Sequence, residues 1–167
     1  MLSLRTFKNA DAEKIAAFAA DEQVFSWWSA GLLGEYPLDP QRLADYYAQG
    51  SASGEWFPKV LEEDGVVCGQ LLMRWKDKEE GRLHFGLIIV DPAARGKGLG
   101  HAMLSMALEY AFHIKGAKRV TLNVFADNAP AIRCYERLGF ARTGEFTAQI
   151  GGRETRLYSY ERKPFGA

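Results

Sequence analysis

The chain has 167 residues, 47% hydrophobic, 13% aromatic and 25% charged, the length and make-up of one compact domain with a core of its own. Its 21 Lys plus Arg balance 21 Asp plus Glu, which argues against a nucleic-acid binder or a polybasic membrane anchor, both of which need surplus positive charge. No apolar run approaches the roughly 18–20 residues that span a bilayer, and the N-terminal stretch lacks the apolar segment of a secretory signal. Two distant cysteines, Cys68 and Cys134, fit a reducing, cytoplasmic setting better than a disulfide framework. The three histidines, His84, His101 and His113, show no metal-ligand spacing, so no metal is expected.

Residues 2–7 alternate as a first strand. Asn9 and Asp11 are N-caps for a helix over residues 12–20, with Ile15, Phe18 and Ala19 on one face. Residues 24–36, aromatic and interrupted by glycine, read as a broken helix plus loop. Asp39-Pro40 opens a short helix to about residue 49. Residues 56–62 and 66–75 form strands around an Asp64-Gly65 hairpin turn, and residues 76–81 are a polar turn. Leu87-Ile88-Ile89-Val90 then suits a strand over residues 82–90 that is buried on both faces. Residues 98–115 are helical, with Gly116 just past the end. Residues 120–124 alternate as a strand. Asn128 caps a helix through residue 138, and residues 140–150 and 153–162 close the chain as a hairpin. The order β-α-α-β-β-β-α-β-α-β-β predicts an α/β (α+β) domain, a mixed sheet with helices on both sides.

The most informative stretch is Asp91-Pro-Ala-Ala-Arg95-Gly96-Lys97-Gly98-Leu99-Gly100-His101. It joins a buried strand to a long helix, where free backbone N–H groups and the helix dipole attract anions. Glycines at 96, 98 and 100 let a phosphate approach the backbone with no Cβ in the way. Arg95 and Lys97 place positive charge where the dipole alone disfavours it, a mismatch that an anionic ligand would neutralise. A P-loop is excluded, because Lys97 is followed by Gly98 rather than Ser or Thr. A dinucleotide fingerprint is excluded too, because His101 stands where glycine is needed. The bland alternative is a turn that merely lets the helix pack closely.

Arg95-Gly-Lys-Gly98-Leu-Gly100 resembles the Arg/Gln-x-x-Gly-x-Gly/Ala signature of the GNAT superfamily of N-acetyltransferases, and the element order is similar to that fold over nearly the whole chain. The resemblance implies a single GNAT domain, acetyl-CoA as cosubstrate, and a pyrophosphate lined by Arg95, Gly96, Lys97, Gly98, Leu99, Gly100 and His101. It also implies that Ile88, Ile89 and Val90 offer backbone groups to the pantetheine arm and the acetyl carbonyl.

A second segment, Asn128-Ala-Pro-Ala-Ile-Arg-Cys-Tyr135-Glu-Arg-Leu-Gly139-Phe140, looks like the family's Asn-x-x-Ala-x-x-x-Tyr-x-x-x-Gly-Phe pattern. Asn128 and Tyr135 share a helix face about 10 Å apart along the axis. By the resemblance Asn128 contacts CoA and Tyr135 protonates the leaving thiolate. A thiol of pKa about 8.5 and a phenol of pKa about 10 suit that donation at neutral pH. The bland reading makes Asn128 a cap and Tyr135 core. Cys134 points about 100° away from Tyr135 and reads as core.

Some family members carry a basic carboxylate eleven residues before the signature, and that position is His84 here. An imidazole of pKa about 6.5 suits a base acting directly or through water. The alternative, an ordinary half-buried strand histidine, stands beside it. On the next strand, where other members place a glutamate, this chain carries Asn123. Phe25, Trp27, Trp28, Tyr36 and Trp56, beside Glu22, Glu35 and Asp39, either wall a pocket for a cationic amine or are core and solvated surface. The expected activity is acetyl transfer to a primary amine by direct attack in a ternary complex, with a homodimer allowed by exposed sheet edges. A CoA-binding module without turnover is the rival reading.

Overall fold

The computed structural model describes residues 1–164. The elements are β1 (Leu2–Thr6), α1 (Ala12–Phe18), α2 (Glu22–Ser29), α3 (Pro40–Ser51), β2 (Trp56–Glu63), β3 (Val66–Asp77), β4 (Arg82–Val90), α4 (Leu99–Glu109), β5 (Arg119–Phe125), α5 (Ala129–Arg137), β6 (Ala141–Ile150) and β7 (Arg153–Arg162). They build one seven-stranded sheet in the order β1-β2-β3-β4-β5-β7-β6. β4 and β5 run parallel, and the other neighbours are antiparallel. Parallel neighbours need a crossover, and α4 supplies it.

The sheet is a divider between two cores. On one face Leu83 and Phe85 of β4 pack with Met103, Leu104 and Ala107 of α4 and with Tyr135 near the end of α5. On the other, Val60 and Leu72 pack under Ile15 and Phe18 of α1, Phe25 and Trp28 of α2, and Leu43 and Tyr47 of α3. Arg5 of β1 fixes the start of that layer with two 2.9 Å hydrogen bonds to Asp11, and donates to Glu62 at 2.6 Å.

Three features depart from the sequence reading. Residues 22–29, expected as part of a broken helix, form a complete α2. The Asp21 carboxylate caps it by accepting the Val24 N–H at 2.8 Å, and Ala30 ends it in the left-handed region at φ 48°. Three helices therefore precede β2 instead of two, because buried Phe25 and Trp28 outweigh weak aromatic helix propensity. β3 runs on to Asp77, which moves Lys76 from a turn onto a sheet face. The long helix does not stay α to its end: Tyr110–Ile114 widen into a π turn, closed by Lys115 N–H donating to Tyr110 C=O at 3.0 Å.

Candidate active site

β4 and β5 hold together only at their beginnings. Their ladder runs from Arg82 opposite Arg119 to Phe85 opposite Leu122 and then stops. β4 stays with β3 up to Val90, and β5 stays with β7 up to Phe125. The two strands therefore part beyond Phe85 and Leu122. A bulge helps to force them open. Between Gln70 opposite Ile89 and Leu72 opposite Gly86, β4 carries one residue more than β3, and Leu87 takes φ 48°. A β-carbon in that region costs about 1–2 kcal/mol. The extra residue also inverts the alternation of side chains. Leu83 and Phe85 face α4, but beyond the bulge it is Ile88 and Val90 that do so, while Leu87 and Ile89 enter the opposite core. Ile88, Ile89 and Val90 thus line one side of the gap, with polar backbone that no β5 group claims.

β4 ends in a controlled turn. The Asp91 N–H donates to Cys68 C=O at 2.8 Å, and its carboxylate accepts the Ala93 N–H at 2.9 Å. Arg95 follows in an extended conformation, and Gly96 and Gly98 take φ 79° and 70°. Gly98 is the N-cap of α4 and supplies no side-chain cap. Among the described residues, no N–H from Gly96 to His101 donates to another backbone group. A Cβ placed on Gly96, Gly98 or Gly100 would meet nothing within 4 Å. This is an open cradle of unclaimed donors at a helix N-terminus, flanked by the exposed Arg95 and Lys97. Donors left free in this way suit a phosphate-bearing ligand.

α5 lies across the gap from this loop. Asn128 caps it, its Oδ1 accepting the Ala131 N–H at 3.4 Å, so the capping role is real whatever its amide nitrogen does. Tyr135 is 6% exposed and stacks edge-on against Phe140, with ring centroids 6.1 Å apart. Burial first, and then the neighbouring Cys134, push its phenol well above the usual tyrosine range, so it stays protonated. Its hydroxyl bonds to no protein group among the described residues.

His84 lies on the opposite face. It is 7% exposed, and its Nδ1 sits 2.8 Å from Thr121 Oγ1. Burial, followed by the charges of Lys76, Arg74 and Arg82, lowers its pKa to about 3, so the ring is neutral at working pH. A cavity of about 270 Å³ opens beside it, floored by β4, β5 and β7 and including Thr121, Asn123 and Ser159. The sheet therefore separates Tyr135 from His84, with the parted strands between them. Arg74, Lys76, Arg82 and Thr121 carry no site role in the sequence reading. The alternation of Leu72, Arg74 and Lys76 on one face was the available signal, hidden because Lys76 was assigned to a turn.

The aromatic residues of the candidate acceptor wall divide. Phe25 and Trp28 are core, 6.3 Å apart and both buried. Trp56 packs on Tyr46 at 5.1 Å. Asp39 caps α3 by accepting the Gln41 N–H at 2.9 Å, and Glu22 and Glu35 are exposed. Trp27 alone reaches across the gap, its indole N–H donating to Asp127 Oδ1 at 3.0 Å. That bond ties α2 to the β5–α5 turn.

This geometry has relatives. A family model described as "Acetyltransferase (GNAT) family" matches residues 21–140, and the chain belongs to that family. Mycothiol acetyltransferase of Beutenbergia cavernae is 32% identical over 144 residues, 82% of this chain and 44% of the relative. Spermine/spermidine N(1)-acetyltransferase of Bacillus subtilis is 36% identical over 70 residues, 42% of this chain and 46% of the relative. The chain thus spans about half the length of these curated relatives. A crystal structure of spermidine N-acetyltransferase from Vibrio cholerae, in complex with CoA and spermine, shares the fold. Its TM-score is 0.81 at 23% identity, covering 97% of this chain and 95% of the other.

Proposed function

We propose that this protein is an acetyl-CoA-dependent N-acetyltransferase that acetylates a primary amine by direct attack in a ternary complex. The observation that carries the reading is the parting of β4 from β5, which leads straight into the uncapped turn from Arg95 to His101. Acetyl-CoA supplies the acyl group as an activated thioester. The N–H groups and basic side chains of Arg95 to His101 hold its pyrophosphate. Backbone groups of Ile88, Ile89 and Val90 that β5 leaves unclaimed hold the pantetheine arm and polarise the acetyl carbonyl. An oxyanion donor of that kind is worth about 10²–10³-fold in rate. The amide of Asn128 steadies the arm from α5. Tyr135 donates its proton to the departing sulfur: burial keeps the phenol protonated until the thiolate forms, at the cost of weakening it as an acid.

The role of His84 changes with its surroundings. A ring with a pKa of about 3 is a feeble net base, but its neutral form offers a lone pair. We assign His84 to holding, through Nε2, the water that carries away the surplus proton of the attacking amine. The exposed outer edge of β6, with Phe146 40% exposed, supports the homodimer, which sedimentation would read as twice the chain mass.

Calorimetric titration with acetyl-CoA, followed by a thiol-release assay over a panel of amines, tests the reading. Micromolar binding weakened by removal of the pyrophosphate, together with thiol release, is expected. Binding without thiol release from any amine returns the rival reading, a CoA-binding module without turnover. No binding by folded protein ends both.

A further inference from the structure

The face of the sheet that carries His84 holds more positive charge than the fold can use. Lys76 and Arg82 line the cavity of about 270 Å³, and Arg74, outside its lining, stands beside His84. Among the described residues none of the three has a carboxylate within ion-pair distance. Arg119, on the same cavity, does: it reaches Glu80 at 3.2 Å and Glu161 at 4.0 Å. The contrast matters, because Arg119, the in-register neighbour of Arg82, is answered by carboxylates while Arg74, Lys76 and Arg82 are not. Arg82 Nε, like Arg119 Nε, is buried with no hydrogen-bond partner, although an unpaired buried donor is destabilising. Like charges in one register repel. Arg74 faces His84 directly across β3 and β4, and Lys76 follows Arg74 on that face of β3. The lowered pKa of Lys76, caused by burial and then by Arg74 and Arg82, reflects the same crowding. No structural role accounts for two such cations on an open cavity with a third beside its histidine. A bound anion would account for all of them.

Resting on the acetyltransferase reading above, we propose that the acceptor amine carries an anionic group, a carboxylate or phosphate monoester, held by Arg82 and Lys76 while its amino group lies at His84. Two residues along a strand span about 7 Å, and this sets the separation between amine and anion. Arg74 adds to the field from β3, and the Arg119–Glu161 pair closes the far side. A polycationic acceptor would set its own charges against this cluster.

The test compares acceptors of one length that differ in their far end: 5-aminopentanoate, 3-aminopropyl phosphate, pentylamine and 1,5-diaminopentane. Both anionic amines should exceed pentylamine in kcat/KM by about tenfold or more, as expected for a charge-assisted hydrogen bond, and the diamine should be the poorest. A difference between the two anionic amines names the anion. In Arg82→Gln and Lys76→Gln the ratio of 5-aminopentanoate to pentylamine should fall towards one through KM, with acetyl-CoA titrations reporting that the fold stands. Calorimetry of 5-aminopentanoate and pentylamine against the CoA-saturated protein gives the same comparison without turnover. Equal binding and equal kcat/KM for the two overturn the proposal and leave the acetyltransferase reading intact. Absence of acetyl-CoA binding overturns both.

Discussion

His84 and Thr121 face each other in register across the parallel pair β4 and β5, with Nδ1 2.8 Å from Oγ1, at the last stretch before the two strands part. The hydroxyl can accept from an Nδ1–H, and that tautomer leaves the Nε2 lone pair directed to the cavity. Two neighbouring strands thus hold the ring at the point where the sheet opens.

A histidine held neutral makes stability depend on pH in a known direction. The unfolded ring has a pKa near 6.5, and the folded ring about 3. Between these values the unfolded state binds the extra proton, so the protein loses stability as pH falls through about 6.5, with a slope approaching about 1.4 kcal/mol per pH unit. In His84→Gln, urea unfolding midpoints followed from about pH 7 to about pH 5 should decline less steeply than in wild type. Parallel curves would show that His84 titrates normally.

The same burial predicts no inflection near pH 6.5 in kcat/KM, because the ring never gains a proton in the working range. The rate should follow ionisation of the acceptor amine alone. An acidic limb near 6.5 that disappears in His84→Gln would restore the ring as a net base.

Tyr135→Phe keeps the buried ring and its edge contact with Phe140 but removes the proton. Turnover should fall by about 10²-fold or more, with the Kd for acetyl-CoA within about twofold of wild type. A parallel loss of binding and turnover would mean that Tyr135 shapes the site rather than donates to it. Differential scanning calorimetry of the variant keeps packing losses separate.

Gly98→Ala places a Cβ at φ 70° at the mouth of the uncapped turn. The backbone strain should lower stability by about 1–2 kcal/mol. Acetyl-CoA affinity should fall by more than that strain alone implies, since the methyl stands in front of the donors. Unchanged affinity would make the turn purely structural.

Asp11 tests the opposite end of the molecule. Burial would raise its carboxyl, but hydrogen bonds from Arg5 and the Lys8 N–H hold it below the usual range. Its stabilisation is present above the unfolded pKa near 3.9 and is lost as pH falls through the lowered folded value. Asp11→Ala removes two hydrogen bonds of Arg5 but leaves its pair with Glu62, and should cost about 1–2 kcal/mol in urea unfolding, with acetyl-CoA affinity unaltered.

Strand and helix periodicity, the caps Asp39 and Asn128, and the run from Arg95 to His101 were legible because each is encoded within a few consecutive residues. The loop glycines announce their backbone conformation locally, and Asn128 and Tyr135 announce a shared face through helical spacing. The bulge at Leu87 left no such mark: nothing in Leu-Ile-Ile-Val forecasts a positive φ, which arises from the mismatch in register between β3 and β4. The neutral state of His84 also lay beyond a linear reading, since its causes are burial within the sheet and then the charges on β3 and β4 gathered by pairing. The sequence by itself determined the seven strands, every helix but α2, and the anion-ready turn. Only the tertiary structure decided where the sheet opens, which face each predicted catalytic residue takes, and which cations stay unanswered. Those properties depend on strand register and on the distances between charges far apart in the chain.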